Sequence, residues 1–359
     1  MNPEFWKRKK VFLTGHTGFK GSWSVLWLKR LGADITGYSL KPPTQPSLFE
    51  TARVHEGIRS IVGDIRDYPS LKNCLSECKP DIVIHMAAQP LVRESYQDPV
   101  ETYMTNVLGT IHLFEAIRQL GTKPVVVNVT TDKCYENREW IWGYRENESL
   151  GGLDPYSSSK ACSEMITTSY RHSFFNPSNY KKHGVALASC RAGNVIGGGD
   201  WAKDRLVPDI VRALMGGEEV VIRNPQSTRP WQHVLDPLNG YFTLAEKLFE
   251  DGPGFAEAWN FGPDDSGEKP VSWIVENLSK FWGGKKSWKK DQDLNPHEAN
   301  YLKLDCSKAK SRLGWRPNLD LDTALRWVVE WFKAYQKGQD VRQVAEQQIQ
   351  KFMQIKVGA

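Results

Sequence analysis

The sequence predicts an α/β fold: a doubly wound parallel sheet with a smaller, mixed α/β C-terminal part. Three observations carry this. Short apolar runs alternate with helical stretches through the first half of the chain. A glycine-spaced loop joins the first run to the first helix. After residue 191 the rhythm changes, and Gly, Pro and Trp dominate residues 194–231.

The elements follow in order. Residues 11–13 read as a strand, 15–21 as a turn and 22–31 as a helix. Further strands are expected at 34–38, 58–62, 82–86, 125–129 and 185–190. The clearest helices lie at 99–120 and 156–174. Strands that alternate with crossover helices form a parallel sheet covered on both faces. Residues 1–190 are therefore assigned to a dinucleotide-binding domain, with returns at 231–262. Residues 191–230 and 263–359 are assigned to a substrate domain. Near the end, Leu325, Val328, Val329 and Phe332 line one face of an amphipathic helix over 321–334, and a polar helix follows to about residue 355.

Composition narrows the function classes. Lys plus Arg number 47 against 42 acids over 359 residues, so no strong charge field marks a nucleic-acid partner. The short basic runs at 7–10 and 285–290 read as solvated ends of elements. No apolar stretch approaches membrane-spanning length. The N-terminus runs into a strand and a glycine loop rather than a signal segment. Six cysteines are scattered without metal-ligand spacing. Cys74 and Cys78 share a helix face and are expected only to pack. A cytoplasmic, reduced, metal-free protein is the expectation.

Thr14-Gly-His-Thr-Gly-Phe-Lys-Gly21 is the expected cofactor loop. Gly15 permits the tight turn, Gly18 lets backbone approach a diphosphate, and Gly21 lets helix and strand pack closely. The helix start then presents unpaired N–H groups to phosphate. An acid usually ends strand two in NAD binders. Here the strand ends Tyr38-Ser-Leu-Lys41, so Ser39 is left for a ribose hydroxyl and Lys41 for a 2′-phosphate. The choice between NAD and NADP stays open on this pattern. Asp64, before Ile65, is placed either on an adenine amino group or as a turn aspartate capping a helix. Ala87, Ala88 and Gln89 offer small residues where the nicotinamide-side ribose passes.

Thr131-Asp132-Lys133 directly follows the buried run 125–129 and brings a hydroxyl, a carboxylate and an amine to one strand tip. Downstream, Tyr156 and Lys160 share a helix face one turn apart. A nearby ammonium lowers a tyrosine pKa, so the phenol oxygen can accept a proton from a substrate hydroxyl. Tyr68 and Lys72 repeat the spacing, but only Tyr156 opens a helix just after the strand that carries Thr131.

These segments resemble the extended short-chain dehydrogenase/reductase family along nearly the whole chain. The glycine loop, Asp64, His85-Met-Ala-Ala88, Asn106-Val-Leu-Gly109, Tyr156/Lys160 and residues 191–208 carry the likeness. The Thr-Asp pair resembles the sugar-nucleotide 4,6-dehydratases, above all the branch that acts on CDP-D-glucose. The resemblance implies a Rossmann-type fold, NAD as cofactor, and CDP-glucose or a similar nucleotide sugar as substrate. It also implies cofactor contacts from Gly15, Thr17, Gly18, Phe19, Gly21, Asp64, Ile65, Ala87, Ala88, Gln89, Asn106, Tyr156 and Lys160.

By the same resemblance, Tyr156, with Thr131 and Lys160, takes the proton of the sugar 4-hydroxyl while hydride passes to NAD. A base then takes the C5 proton, protonated Asp132 donates to the departing 6-hydroxyl, and hydride returns to C6. The product implied is CDP-4-keto-6-deoxyglucose, a deoxysugar precursor of the kind used in lipopolysaccharide O-antigen. Many relatives have Glu after the Asp; this chain has Lys133. Lys133 is either the C5 base, with a lowered pKa, or a cation that stabilises the enolate while another group such as Glu136, or a water, takes the proton.

For the nucleotide end, the resemblance implies substrate contacts from Asn194, Arg205, Arg229, His297 and Glu298. Trp231 or a neighbouring aromatic is expected to stack on the base, with His233 close by in sequence. Met104, Val107, Leu108, Ile111 and Phe114 lie along one helix, and are either core or, with the Tyr156 helix, the interface of a homodimer or higher homo-oligomer. The competing readings are a dehydratase or 4-epimerase for another nucleotide sugar, and a non-catalytic NAD(P)-binding regulator.

Overall fold

The computed structural model describes residues 1–284, 288–291 and 301–355. Its main sheet is built from β1 (Lys10–Thr14), β2 (Asp34–Ser39), β3 (Arg59–Val62), β4 (Ile82–His85), β5 (Val125–Val129) and β6 (Ala186–Ala192). After β6 the chain forms β7 (Asn194–Ile196), β8 (Val220–Ile222) and β9 (Thr228–His233). It then returns to the main sheet as β10 (Ala258–Phe261) and ends its strands with β11 (Glu268–Pro270) and β12 (Trp288–Lys290).

The main sheet runs β10-β6-β5-β4-β1-β2-β3, with every pair parallel. Strand order reverses between β1 and β4. In such sheets, ligands bind outside the carboxyl ends of the strands at that reversal. β7, β9 and β11 form a second, three-stranded sheet, and β8 pairs with β12.

Alternation along the strands builds two cores. Val11, Leu13, Ile82, Ile84, Val125 and Val127 point to one face of the sheet. Phe12, Val83, Val126 and Leu187 point to the other. Both faces are covered, which is why the strands read as unbroken apolar runs. Trp23, Trp27 and Phe242 cover the first face, from the Phe19–Arg30 and Leu235–Phe255 helices. Leu71, Leu75, Leu113 and Phe114 cover the second, from the Tyr68–Cys78 and Gly109–Arg118 helices. Each such side chain contributes roughly 1.5–3 kcal/mol on full burial. Cys74 and Cys78 pack against this second core as free thiols.

Two expected elements differ. The first helix begins at Phe19 rather than residue 22, because Gly18 serves as its N-cap. The stretch expected as one helix over 99–120 is a helix at Pro99–Tyr103, a π-turn at Met104–Leu108 and a helix at Gly109–Arg118. The π-turn coincides with Asn106, whose side chain bonds two other segments, as described below. A residue inserted into a helix in this way often marks a functional position.

The Pro155–Ser173 helix starts as its sequence suggests. Asp154 accepts the Ser157 N–H at 2.9 Å, and Pro155 occupies the first helical position. No helix among the described residues is long and apolar enough to cross a membrane.

Gly21 fixes how closely the first helix approaches β1. A Cβ there would overlap the Gly15 carbonyl oxygen and lie 2.7 Å from the His16 Cα. Both neighbours are backbone and cannot rotate away. Gly21→Ala is therefore expected to cost at least about 1–3 kcal/mol, the usual range for overpacking. Denaturant unfolding checks this; a midpoint equal to the wild type refutes the packing role.

Candidate active site

The glycine loop leaves β1 and turns at Gly15, whose φ is +78°. Its N–H donates to the Tyr38 carbonyl at 3.0 Å. A Cβ at Gly15 would lie 2.7 Å from the Ala87 nitrogen, so the loop and the end of β4 are packed backbone to backbone. Gly18 differs: a Cβ there would meet only the Gly15 oxygen, at 3.4 Å. Its open side lies at an uncapped helix start. Those two features fit a diphosphate of a dinucleotide. Phe19 packs under Gly197, whose added Cβ would reach its ring at 3.0 Å.

At the end of β2, Thr17 bonds Ser39 at 2.8 Å and donates to the Leu40 carbonyl at 2.9 Å. Hydroxyls stand where an acid would hold a ribose. Asp64 accepts from Arg66 through both oxygens, and Arg66 also pairs with Glu101. That hydrogen-bonded guanidinium holds the Asp64 carboxyl below its ordinary pKa. The helix that follows is capped by Asp67, not by Asp64. Ile65 is buried and packs against Gly109.

Asn106 is buried and frames the far side of the cleft. Its Oδ1 accepts the Gln89 N–H at 2.8 Å, and its Nδ2 donates to the Gln89 carbonyl at 3.0 Å and to Ser159 Oγ at 2.9 Å. The segment holding Ala87, Ala88 and Gln89 is thereby tied to the Tyr156 helix. Thr14 Oγ1 accepts the Met86 and Ala87 N–H groups, both at 3.1 Å, and fixes the same segment from below.

Thr131, Asp132, Tyr156 and Lys160 are all buried at the carboxyl end of β5. Thr131 caps a short 3-10 turn, Asp132–Cys134. Its hydroxyl donates to Asp132 Oδ1 at 3.0 Å and is also hydrogen-bonded to Tyr156. Burial raises the Asp132 pKa, against the lowering charges of Lys133 and Arg229. Gly193 leaves the acid its room: a Cβ there would sit 2.8 Å from Asp132 Oδ2. Asp132 is thus biased toward its protonated, proton-donating form.

The tyrosine departs from expectation. Burial pushes Tyr156 up to about 12, although Thr131 and the Arg205 charge pull it down. Lys160 does not hold it low here. Burial brings the Lys160 amine down to about 8, and its bond is to the Val129 carbonyl, at 3.5 Å. Desolvation exceeds the charge effect that spacing alone suggests.

Lys133 is half-buried beside Asp132. Glu136, the other basic group considered near it, is exposed and pairs with Arg138 at 3.3 Å. Tyr68 and Lys72 lie on an outer helix, where Lys72 reaches Gln119.

At the substrate end, Asn194 opens β7 and Arg229 lies on β9, close enough for its charge to act on Asp132. Arg205 bonds Asp200 at 3.0 Å, and its charge reaches Tyr156. Trp231, expected to stack on the base, lies in the protein interior, and so does His233. Trp231 is buried and donates to the Lys269 carbonyl at 3.0 Å. His233 is wholly buried between Trp23 and Trp327, and burial takes it to about 3. β9 carries both rings inward, and His233 lies against Trp327 of the Leu321–Gln336 helix. His297 and Glu298 lie outside the described residues. Downstream of them, the segment with Tyr301 and Asp305 is bonded to the loop through Asn137 and Tyr144.

Sequence reading missed Lys20 and Glu164. Lys20, inside the glycine loop, is brought to about 8 by burial and by the charges of Arg205 and Lys160, with Asp132 opposing. A charged residue between two loop glycines was the available signal. Glu164 follows Lys160 by one helical turn, a spacing that places it on the same stripe. Among the described residues, no group of three or more His, Cys, Asp and Glu is placed to hold a metal ion.

Comparison with known proteins places this architecture. Residues 12–328 match the family model described as GDP-mannose 4,6 dehydratase. The chain is 56% identical over 353 residues to a CDP-glucose 4,6-dehydratase of Salmonella typhimurium, covering 98% of each chain. It is 29% identical to a dTDP-glucose 4,6-dehydratase of Streptomyces antibioticus, over 90% of this chain and 92% of that one. Among solved structures, a dTDP-glucose 4,6-dehydratase of Streptomyces venezuelae shares the fold, with a TM-score of 0.76 and 23% identity over 92% of this chain and 99% of that one. A UDP-glucose 4-epimerase of Thermus thermophilus superposes with a TM-score of 0.77 at 24% identity, over 90% of this chain and 98% of that one. The chain belongs to this family, the nucleotide-sugar dehydratases and epimerases of the extended short-chain dehydrogenase/reductase type.

Proposed function

We propose that this protein is an NAD-dependent CDP-D-glucose 4,6-dehydratase that forms CDP-4-keto-6-deoxyglucose and water. One observation carries the reaction class: a buried Asp132, whose pKa burial raises, shares the Thr131 hydroxyl with Tyr156. A 4-epimerase needs the tyrosine but has no use for that acid. CDP-glucose as substrate rests on the 56% identity to the Salmonella typhimurium relative.

Gly15, Thr17, Gly18, Phe19 and Gly21 would hold the diphosphate side of NAD, and Asp64 and Ile65 its adenosine. Ala87, Ala88, Gln89 and Asn106, with Tyr156 and Lys160, would hold the nicotinamide side. When bound, NAD supplies the acceptor and then the donor of one hydride, so it is unchanged over a turnover. Solved dehydratase and epimerase structures of the same fold that carry NAD support the choice over NADP.

Tyr156 accepts the sugar 4-hydroxyl proton, with Thr131 orienting its oxygen. A carbonyl at C4 then acidifies the C5 hydrogen. Lys133 is the group beside Asp132 assigned to C5, as base or as the cation that stabilises the enolate. The exposure of Glu136 and its pair with Arg138 favour Lys133 or a water over it at C5. Asp132 donates its proton to the 6-hydroxyl, which leaves as water. Asn194, Arg205 and Arg229 are assigned to the sugar and diphosphate, with His297 and Glu298 toward the nucleotide. Arginine suits this because its planar donors match phosphate oxygens.

The division of labour proposed is 1–190 with 231–262 for cofactor, and 191–230 with 263–359 for substrate. The return of the chain to the main sheet at β10 supports it. The setting proposed is cytoplasmic deoxysugar synthesis for surface polysaccharide. A homodimer is proposed through the helices bearing Met104 and Tyr156, whose Met104 and Met165 are 41% and 53% exposed. Phe114 belongs to the core instead.

Three measurements test this reading. With NAD and the CDP-, dTDP-, UDP- and GDP-sugars, mass spectrometry is expected to show loss of one water, fastest from CDP-glucose by at least about tenfold. Dehydration of none of them ends the proposal. Asp132→Asn is expected to slow water loss by about 100-fold or more, the usual scale for a lost general acid, while C4 oxidation continues and reduced cofactor accumulates. Full activity in that variant removes Asp132 as the acid. Sedimentation at micromolar concentration is expected to show a dimer or larger; monomer alone refutes the interface.

A further inference from the structure

Glu164 is wholly buried, yet the reaction as assigned gives it no task. It stands one turn beyond Lys160 and two beyond Tyr156, so all three share one stripe of the Pro155–Ser173 helix. Its Oε1 accepts the Thr130 hydroxyl at 2.5 Å. Its Oε2 accepts from Ser189 at 2.7 Å and from Arg191 at 2.8 Å. Thr130 immediately precedes Thr131, and its N–H is bonded to the Cys190 carbonyl at 2.8 Å.

We propose that Glu164 is a positioning residue for the oxidation step: its carboxylate fixes the tip of β5 through Thr130 and sets a negative charge one helical turn from Lys160. This rests on the function proposed above. A carboxylate buried among Lys, Arg and two hydroxyls is costly unless every oxygen is used. Here both are used: Oε1 joins the helix that carries Tyr156 to the tip of β5, and Oε2 joins it to β6.

The electrostatics agree. Burial lowers Lys160, and Glu164 is the largest influence raising it, followed by Cys134. The other charged or titratable groups in reach of Lys160 are Lys20 from the glycine-loop helix and His85 from β4. His85 is neutral, since burial takes it to about 3. Glu164 itself stays ionised: burial opposes this, but Arg191 and the bonds from Thr130 and Ser189 outweigh it. Removing its charge would lower Lys160 further. The cation would then be lost at lower pH, one helical turn from Tyr156.

The test compares Glu164→Gln, Glu164→Asp and Thr130→Val in the full-length enzyme with NAD and CDP-glucose. Glu164→Gln is expected to lower kcat about tenfold with little change in KM and to move the alkaline limb of the kcat profile acidward by about one pH unit. Glu164→Asp, which keeps the charge, is expected to restore the limb. Thr130→Val is expected to lower kcat several-fold with the limb unmoved. A folded Glu164→Gln enzyme within about twofold of wild type and with an unmoved limb overturns the proposal. If Glu164→Gln does not fold by circular dichroism, Thr130→Val decides, and a rate within about twofold of wild type overturns it. The Nζ resonance of Lys160 in nitrogen-15-lysine protein, assigned with Lys160→Arg, provides a readout without turnover. It is expected to titrate lower in Glu164→Gln, and an unmoved titration overturns the proposal even if the wild type dehydrates no nucleotide sugar.

Discussion

Burying the charge of Arg191 is the constraint on which the rest of this structure depends. The side chain is 3% exposed, and its ion pair with Glu164 at 2.8 Å has a wholly buried partner. Breaking such a pair by removing one member costs about 3–5 kcal/mol, because the other charge is left uncompensated. The remaining donors must also be placed. One nitrogen donates to Tyr135 Oη at 2.7 Å and to the Glu146 carbonyl at 3.1 Å, while Nε makes no bond. The guanidinium lies 4.8 Å from the centre of the Tyr135 ring.

Those obligations spread outward. Tyr135 donates to Asn260 Oδ1 at 2.8 Å, and Asn260 Nδ2 donates to the carbonyls of Tyr144 and Asp305 at 2.8 and 3.1 Å. β5, β6, β10, the loop after the catalytic turn and the C-terminal segment near Asp305 are thus joined through one buried charge. The 3-10 turn that carries Asp132 sits inside this frame. Its geometry follows from satisfying Arg191 as much as from its own three residues.

This explains what was legible in the sequence. The strands were readable because two covered faces demand unbroken apolar runs, and 125–129 coincides with β5. The glycine loop was readable because its rules are steric and local: a positive φ at Gly15 and no room for a Cβ at Gly21. The catalytic tip was readable because Tyr156 and Lys160 are one turn apart and Asp154 and Pro155 mark the helix start. The π-turn at Asn106 was not, since the apolar pattern runs through it and only the distant Gln89 and Ser159 reveal its purpose. Arg229, Trp231 and His233 alternate onto one face of β9, but packing of a helix some hundred residues later decides which of them is buried. The direction of the Tyr156 shift was also hidden. Spacing reports which charges are near, whereas burial is a property of the whole fold.

The same burial gives the site its proton economy. Asp132 and Tyr156 are driven toward their neutral forms, and Lys20 and Lys160 are each brought to about 8. Burial thus disfavours the charged form at each of these four side chains. A diphosphate bound near Lys20 and Arg205 would oppose that trend, since a negative neighbour favours the charged form of an amine. More of the lysine cation then exists when ligand is present than when it is absent. A cation near Tyr156 favours the phenolate, as the Arg205 charge does, whereas at Asp132 burial raises the pKa against the Thr131 hydroxyl and the charges of Lys133 and Arg229. Two acids that share one hydroxyl are thus both shifted upward by burial, and each is opposed by its own cations: Arg205 at Tyr156, Lys133 and Arg229 at Asp132.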